Sequence, residues 1–142
     1  MKSKINFFAS CLSVSLALGI GSVATIANAE DAPKLPPVSS ATGVTYEKDI
    51  KSIFDTSCVK CHHGEKPKAK LSMDTLEGVL KGSKEGKVVI PGKSAESKLV
   101  LSIAYVGEED DYMPPVHNKA GIKKLTDDQI GLIRAWIDQG AK

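Results

Sequence analysis

The sequence predicts a small all-α domain, and two observations support this fold class. Apolar residues recur at helical spacing in three segments, and candidate capping residues precede four predicted helices. The chain has 142 residues, of which 113 follow residue 29. That length suits one domain that can bury only a modest core unaided.

Residues 1–29 have the pattern of a secretory signal peptide. Lys2 and Lys4 form a basic start, residues 11–26 are mostly apolar, and Ala27-Asn28-Ala29 is a small-x-small cleavage site. The apolar stretch is near the lower length limit for a membrane-spanning helix, so an uncleaved anchor is the alternative. We favour cleavage after Ala29, which predicts a periplasmic protein with no stable membrane insertion.

Cleavage would leave a polypeptide of balanced charge. The chain has 19 basic and 17 acidic residues, and loss of Lys2 and Lys4 reduces the basic count to 17. A formally neutral chain gives no reason to expect a nucleic-acid partner. Cys11 would also be removed, leaving Cys58 and Cys61 as the only cysteines.

Residues 30–43 predict a flexible linker, because they are rich in proline and serine and have few large apolar side chains. We expect the folded domain to occupy residues 44–142. Its first helix follows Thr45, a candidate cap, and carries an apolar stripe ending at Phe54. This helix leads directly to Cys58.

Three further helices are expected. Asp74 and Glu77 predict the start of a short helix that ends near Gly82, and Ser94 is a candidate cap for a helix reaching Tyr105. The last helix begins with a capping box formed by Thr126 and Gln129. Its apolar stripe contains Ile130, Ile133, Trp136 and Ile137, and we expect Trp136 to pack against the first helix.

The segment Cys58-Val59-Lys60-Cys61-His62 has the C-x-x-C-H pattern of covalent haem attachment. Two thiols at this spacing can bind one haem covalently, and the adjacent imidazole can reach the iron. The sequence therefore predicts one haem c, attached through Cys58 and Cys61, with His62 as an axial ligand.

Other uses of these residues fit the pattern less well. A dithiol oxidoreductase places C-x-x-C at the start of a helix, whereas this pair follows one. Zinc would need His63 or His117 as a fourth ligand, and adjacent Cys61 and His62 would strain a tetrahedral site. A structural disulfide is the third alternative.

The second axial ligand distinguishes an electron carrier from a haem that binds small molecules. Met113 precedes Pro114-Pro115 in a long loop, where the prolines restrict the backbone. His117 is the main rival, whereas Met73 resembles a core residue and His63 must point away if His62 faces the iron. We favour Met113, and ligation by His and Met generally raises the reduction potential relative to two His ligands.

Taken together, several motifs resemble the planctomycete-type cytochrome c domain. They are Tyr46 to Ile53, residues 58–62, Leu71 to Thr75, Val89 to Ser94, Met113-Pro114-Pro115 and Leu125 to Ala141. The resemblance implies a class I cytochrome c-like fold, with His62 proximal and Met113 distal to the iron. The chain departs from the family pattern in the His62-His63 doublet, where a small residue is more usual. We also expect it to stand alone, whereas the family domain often occurs within larger proteins.

Charged residues near the haem ligands suggest how partners might dock. Lys60, Lys66, Lys68 and Lys70 surround the attachment site, and residues 108–111 form an acidic run before Met113. For each cluster, a solvated surface without a partner is the alternative.

From these features we expect a periplasmic monohaem cytochrome that carries single electrons between a donor and an acceptor redox protein. We expect a monomer, and no enzymatic activity of its own, because two protein ligands leave no free position on the iron. The alternative is a five-coordinate or labile haem that acts as a gas sensor or a peroxidase-like module.

Overall fold

The computed structural model describes residues 34–142, so the predicted signal peptide lies outside the described residues. Within this range the chain forms helices joined by loops and contains no strand, only an isolated bridge between Ser83 and Gly86. None of the helices described is long and apolar enough to cross a membrane. The all-α prediction is confirmed.

Four helices form the framework. Helix α1 begins as a π-helical turn, Tyr46–Ile50, and continues as an α-helix, Lys51–Ser57. It is followed by α2 (Leu76–Lys81), α3 (Lys98–Ala104) and α4 (Asp127–Asp138). Short 3₁₀ turns occur at Lys68–Lys70, Ser94–Glu96 and Glu109–Asp111.

Helices α1 and α4 pack together through three buried aromatic rings. The Trp136 ring lies 6.1 Å from the Tyr46 ring and 6.2 Å from the Phe54 ring, and it meets Phe54 edge-on at 85°. Edge-to-face geometry is favourable between aromatic rings. The predicted packing of Trp136 against the first helix is confirmed, and it fixes the helix that leads to Cys58.

The predicted caps were correct for α4 and inexact elsewhere. Thr126 and Gln129 form the expected capping box. At α2 the cap is Thr75 and not Asp74: the Thr75 hydroxyl accepts the Gly78 N–H at 3.1 Å. Asp74 instead accepts a hydrogen bond from Ser72.

Two other predicted caps are replaced by different contacts. Thr45 stands at the cap position of α1, but its hydroxyl makes no hydrogen bond, and its N–H donates to the Asp49 carboxylate at 2.8 Å. Ser94 donates from its N–H and hydroxyl to the Asp138 carboxylate of α4, at 2.8 and 2.9 Å. The predicted 94–105 helix is therefore two elements, a 3₁₀ turn and α3.

Residues 34–43, the described part of the predicted linker, form no helix or strand and lie along α4. The Ser39 N–H donates to the Gly131 carbonyl at 3.0 Å, and the Gln139 side chain donates to the Ala41 carbonyl at 2.8 Å. Arg134 donates to the Pro36 carbonyl. These bonds connect the segment to the helix at several points, and the boundary at residue 44 stays a prediction.

Gly131 provides a test of this contact. A Cβ atom at residue 131 would lie 2.6 Å from the Pro37 carbonyl oxygen. Helix propensity alone predicts that Gly131→Ala stabilises the protein by about 1 kcal/mol, whereas the steric clash predicts destabilisation. We expect a lower midpoint of thermal unfolding.

The control is a chain that begins at residue 41, in which Gly131→Ala should not destabilise. An unchanged or higher midpoint in the longer chain would contradict the packing of residues 34–43 on α4.

Candidate functional site

All four predicted site residues border one cavity of about 660 Å³. Cys58, Cys61 and His62 contribute to its wall, as does Met113. Much of the wall is apolar, with contributions from Leu71, Met73, Val88, Leu99, Ile103, Ile122 and Leu125. The fold thus brings His62 and Met113, which are 51 positions apart in the sequence, to the same cavity.

The C-x-x-C-H segment forms a tight turn at the end of α1. The Cys58 N–H donates to the Phe54 carbonyl at 2.8 Å, which continues the hydrogen bonding of the helix. The N–H groups of Cys61 and His62 both donate to the Cys58 carbonyl, at 3.1 and 3.0 Å. This turn places both thiols and the imidazole at the same cavity.

The two thiols are not joined to each other. Burial raises the pKa of the Cys58 thiol to about 12, with a smaller contribution from Cys61. Because a redox-active dithiol depends on a lowered thiol pKa, this environment is unlike that of a thiol–disulfide oxidoreductase. The free thiols are suited to covalent attachment of haem.

The zinc alternative finds no support in the part of the chain that the structure describes. In residues 34–142, no three His, Cys, Asp or Glu side chains are grouped so that they could hold a metal ion. His63 is exposed and does not line the cavity. A four-ligand zinc site needs such a group.

His62 is buried and its ring is oriented by a backbone carbonyl. Nδ1 lies 3.2 Å from the Lys68 carbonyl oxygen. Since a carbonyl can only accept, this bond places the proton on Nδ1 and leaves Nε2 unprotonated in the neutral ring. Burial lowers the pKa of His62, which favours the neutral form that binds metals.

The segment that contains Lys68 is itself hydrogen-bonded to the C-x-x-C-H motif. The Lys68 N–H donates to the Cys61 carbonyl at 3.1 Å, and the Met73 N–H donates to the His62 carbonyl at 2.7 Å. Such outer contacts orient a metal-binding histidine. The sequence analysis did not identify Lys68 in this role, because every residue carries a backbone carbonyl.

Met113 and His117 both border the cavity, but their settings differ. The Met113 N–H donates to the Ser102 carbonyl of α3 at 3.1 Å, and the Met113 side chain is 36% exposed. His117 is exposed in the same loop. Met73, by contrast, is buried in the core, as the sequence indicated.

The residues present fit a haem c. The cavity is largely apolar, two unpaired thiols line it, and the Nδ1 of His62 is already engaged, so Nε2 could bind iron. Met113 offers a thioether at the same cavity. Cys58 and Cys61 would hold a haem covalently, and His62 and Met113 would supply nitrogen and sulfur ligands to its iron.

Comparison with known proteins agrees with this fit. The family model of Planctomycete cytochrome C matches residues 58–117, a range that begins at Cys58 and includes Met113 and His117. No match is found among the curated proteins compared.

Among solved structures, the chain is similar to Kuenenia stuttgartiensis hydrazine synthase at 23% identity, with a TM-score of 0.47. The similarity covers 69% of this chain and 16% of that one, so the chain spans only a small part of its length. The family match over residues 58–117 is consistent with a planctomycete-type cytochrome c domain.

Proposed function

We propose that this protein is an exported, monohaem c-type cytochrome that carries single electrons between redox proteins. The main support is the placement of Cys58, Cys61, His62 and Met113 around one apolar cavity. We further propose a periplasmic location and a monomeric state, on the sequence pattern of residues 1–29 and the single small domain.

Each of these side chains has a distinct role in the proposal. Cys58 and Cys61 would hold the cofactor through their sulfur atoms, and His62 and Met113 would bind the iron. When bound, haem c supplies a one-electron redox couple. The apolar wall would exclude water, which together with the iron ligands would set the reduction potential.

The proposal makes this chain a carrier and not an enzyme. Two protein ligands leave no position on the iron for a substrate, and a peroxidase-like site would need a distal side chain such as arginine. Arg134, the only arginine, does not line the cavity. Its Nε donates to the Ser94 hydroxyl at 3.2 Å, and its guanidinium also donates to the Pro36 carbonyl.

The charges around the cavity favour an acidic partner. On one rim, Lys98 lies 3.1 Å from Asp111 and 3.4 Å from Glu85, and Lys84 lies 4.0 Å from Glu85, so two lysines balance these two carboxylates. Near the attachment site, Lys60 and Lys119 are exposed and lie within 4.0 Å of none of the described carboxylates. Unpaired lysines attract a negatively charged surface and speed encounter.

Covalent attachment is tested by mass spectrometry of denatured protein matured with haem. We expect the wild type to gain the mass of one haem, and a variant with both Cys58→Ser and Cys61→Ser to gain none, because no sulfur remains to form the bond. Met113→Ala is the control and should keep the added mass. Haem retained in the double cysteine variant would contradict the assignment.

The second axial ligand is tested by Met113→Ala. We expect loss of the weak long-wavelength absorption band of an iron–thioether bond and a fall in reduction potential, since the thioether favours ferrous iron. The matched control is His117→Ala, which should leave both unchanged. If His117→Ala changed both properties and Met113→Ala changed neither, the second axial ligand would be His117.

The charge argument is tested with a small anionic oxidant, ferricyanide. A Lys60→Gln/Lys119→Gln variant should react several-fold more slowly at low salt, and the difference should shrink as salt rises, because exposed charges are screened. Lys34→Gln/Lys142→Gln is the control for the loss of two positive charges. Equal rates for both variants would contradict a role for Lys60 and Lys119.

A further inference from the structure

Tyr105 contacts segments that precede and follow Met113 in the sequence. It ends α3 in the left-handed conformation, with φ 62° and ψ 44°. The Tyr105 and Tyr112 rings are stacked, with centroids 4.5 Å apart and planes 11° apart. The Tyr105 hydroxyl donates to the Pro114 carbonyl.

A third segment also reaches this ring. The Lys124 Nζ lies 4.4 Å from the centroid of the Tyr105 ring, in cation–π geometry. Residue 124 lies shortly before α4, on the far side of the loop that contains Met113 and His117. The Tyr105 side chain therefore contacts residues near both ends of the loop that contains Met113 and His117.

These contacts are important because Met113 has few of its own. Its side chain is 36% exposed, and its backbone is held by one hydrogen bond, to the Ser102 carbonyl. Tyr105 contacts the residues immediately before and after Met113, which are Tyr112 and Pro114. The position of the thioether is thus determined largely by its neighbours.

We propose that Tyr105 is a positioning residue that holds residues 112–114 against α3 and so controls how readily Met113 leaves the cavity. The inference rests on the proposed function in taking Met113 as the second axial ligand. Its physical basis is a population shift: a contact made only when the loop is closed lowers the fraction of open loop, in which another ligand can bind.

The experiment compares Tyr105→Phe with wild type, both matured with haem. The substitution keeps the ring and removes only the hydrogen bond to Pro114. We expect backbone hydrogen exchange across residues 107–116 to rise roughly fivefold, the usual effect of losing one neutral hydrogen bond. Imidazole, which would displace the thioether from ferric iron, should bind roughly fivefold more tightly.

Tyr46→Phe is the matched control. It also removes a bond from a phenol to a backbone carbonyl, that of Met73 at 3.1 Å, but at a distance from the Met113 loop in sequence. It should lower overall stability and leave both exchange in residues 107–116 and imidazole affinity unchanged. Equal changes in the two variants would overturn the inference, because they would reflect stability alone.

The two readouts separate this inference from the proposed function. Unchanged exchange in Tyr105→Phe would overturn the positioning role, whatever the iron ligand is. Faster exchange with unchanged imidazole affinity would overturn control of Met113 by Tyr105. If Met113→Ala also keeps the wild-type spectrum, the error lies in the assignment of Met113 and hence in the proposed function.

Discussion

Phe54 packs edge-on against Trp136 of α4, and its carbonyl accepts the N–H groups of Cys58 and Val59, at 2.8 and 2.9 Å. The same residue therefore joins the core to the start of the haem motif. Because Phe54 and Trp136 are fully buried, they have little freedom to move. The position of Cys58, and through its carbonyl that of Cys61 and His62, depends on this helix packing.

The two sides of the cavity are constructed differently. The His62 side is held by hydrogen bonds between residues close in sequence, such as those linking Lys68 to Cys61 and Met73 to His62. The Met113 side is a long loop, held at a few points by the Ser102 carbonyl of α3 and by the side chain of Tyr105, which follows α3. Local backbone bonds make the first side difficult to displace, whereas the second depends on contacts that can open.

The sequence predicted best those elements whose signals are local. The Thr126–Gln129 capping box satisfies the N–H groups of its own first turn, so it formed as expected. Ser94 is also a good capping residue, but its groups bond to Asp138, 44 residues away. The sequence near Ser94 does not show that Asp138 will accept the hydrogen bonds from Ser94.

The sequence by itself determined the haem motif, the helical class of the domain and Met113 as the favoured second ligand, because these depend on residue type and short spacing. Only the tertiary structure showed that the motif and Met113 border one cavity, that the Lys68 carbonyl orients His62, and that Tyr105 contacts both neighbours of Met113. A backbone carbonyl is the same in every residue, and the presence of a tyrosine in the sequence does not reveal which residues it will contact. Contacts of this kind exist only once the chain has folded.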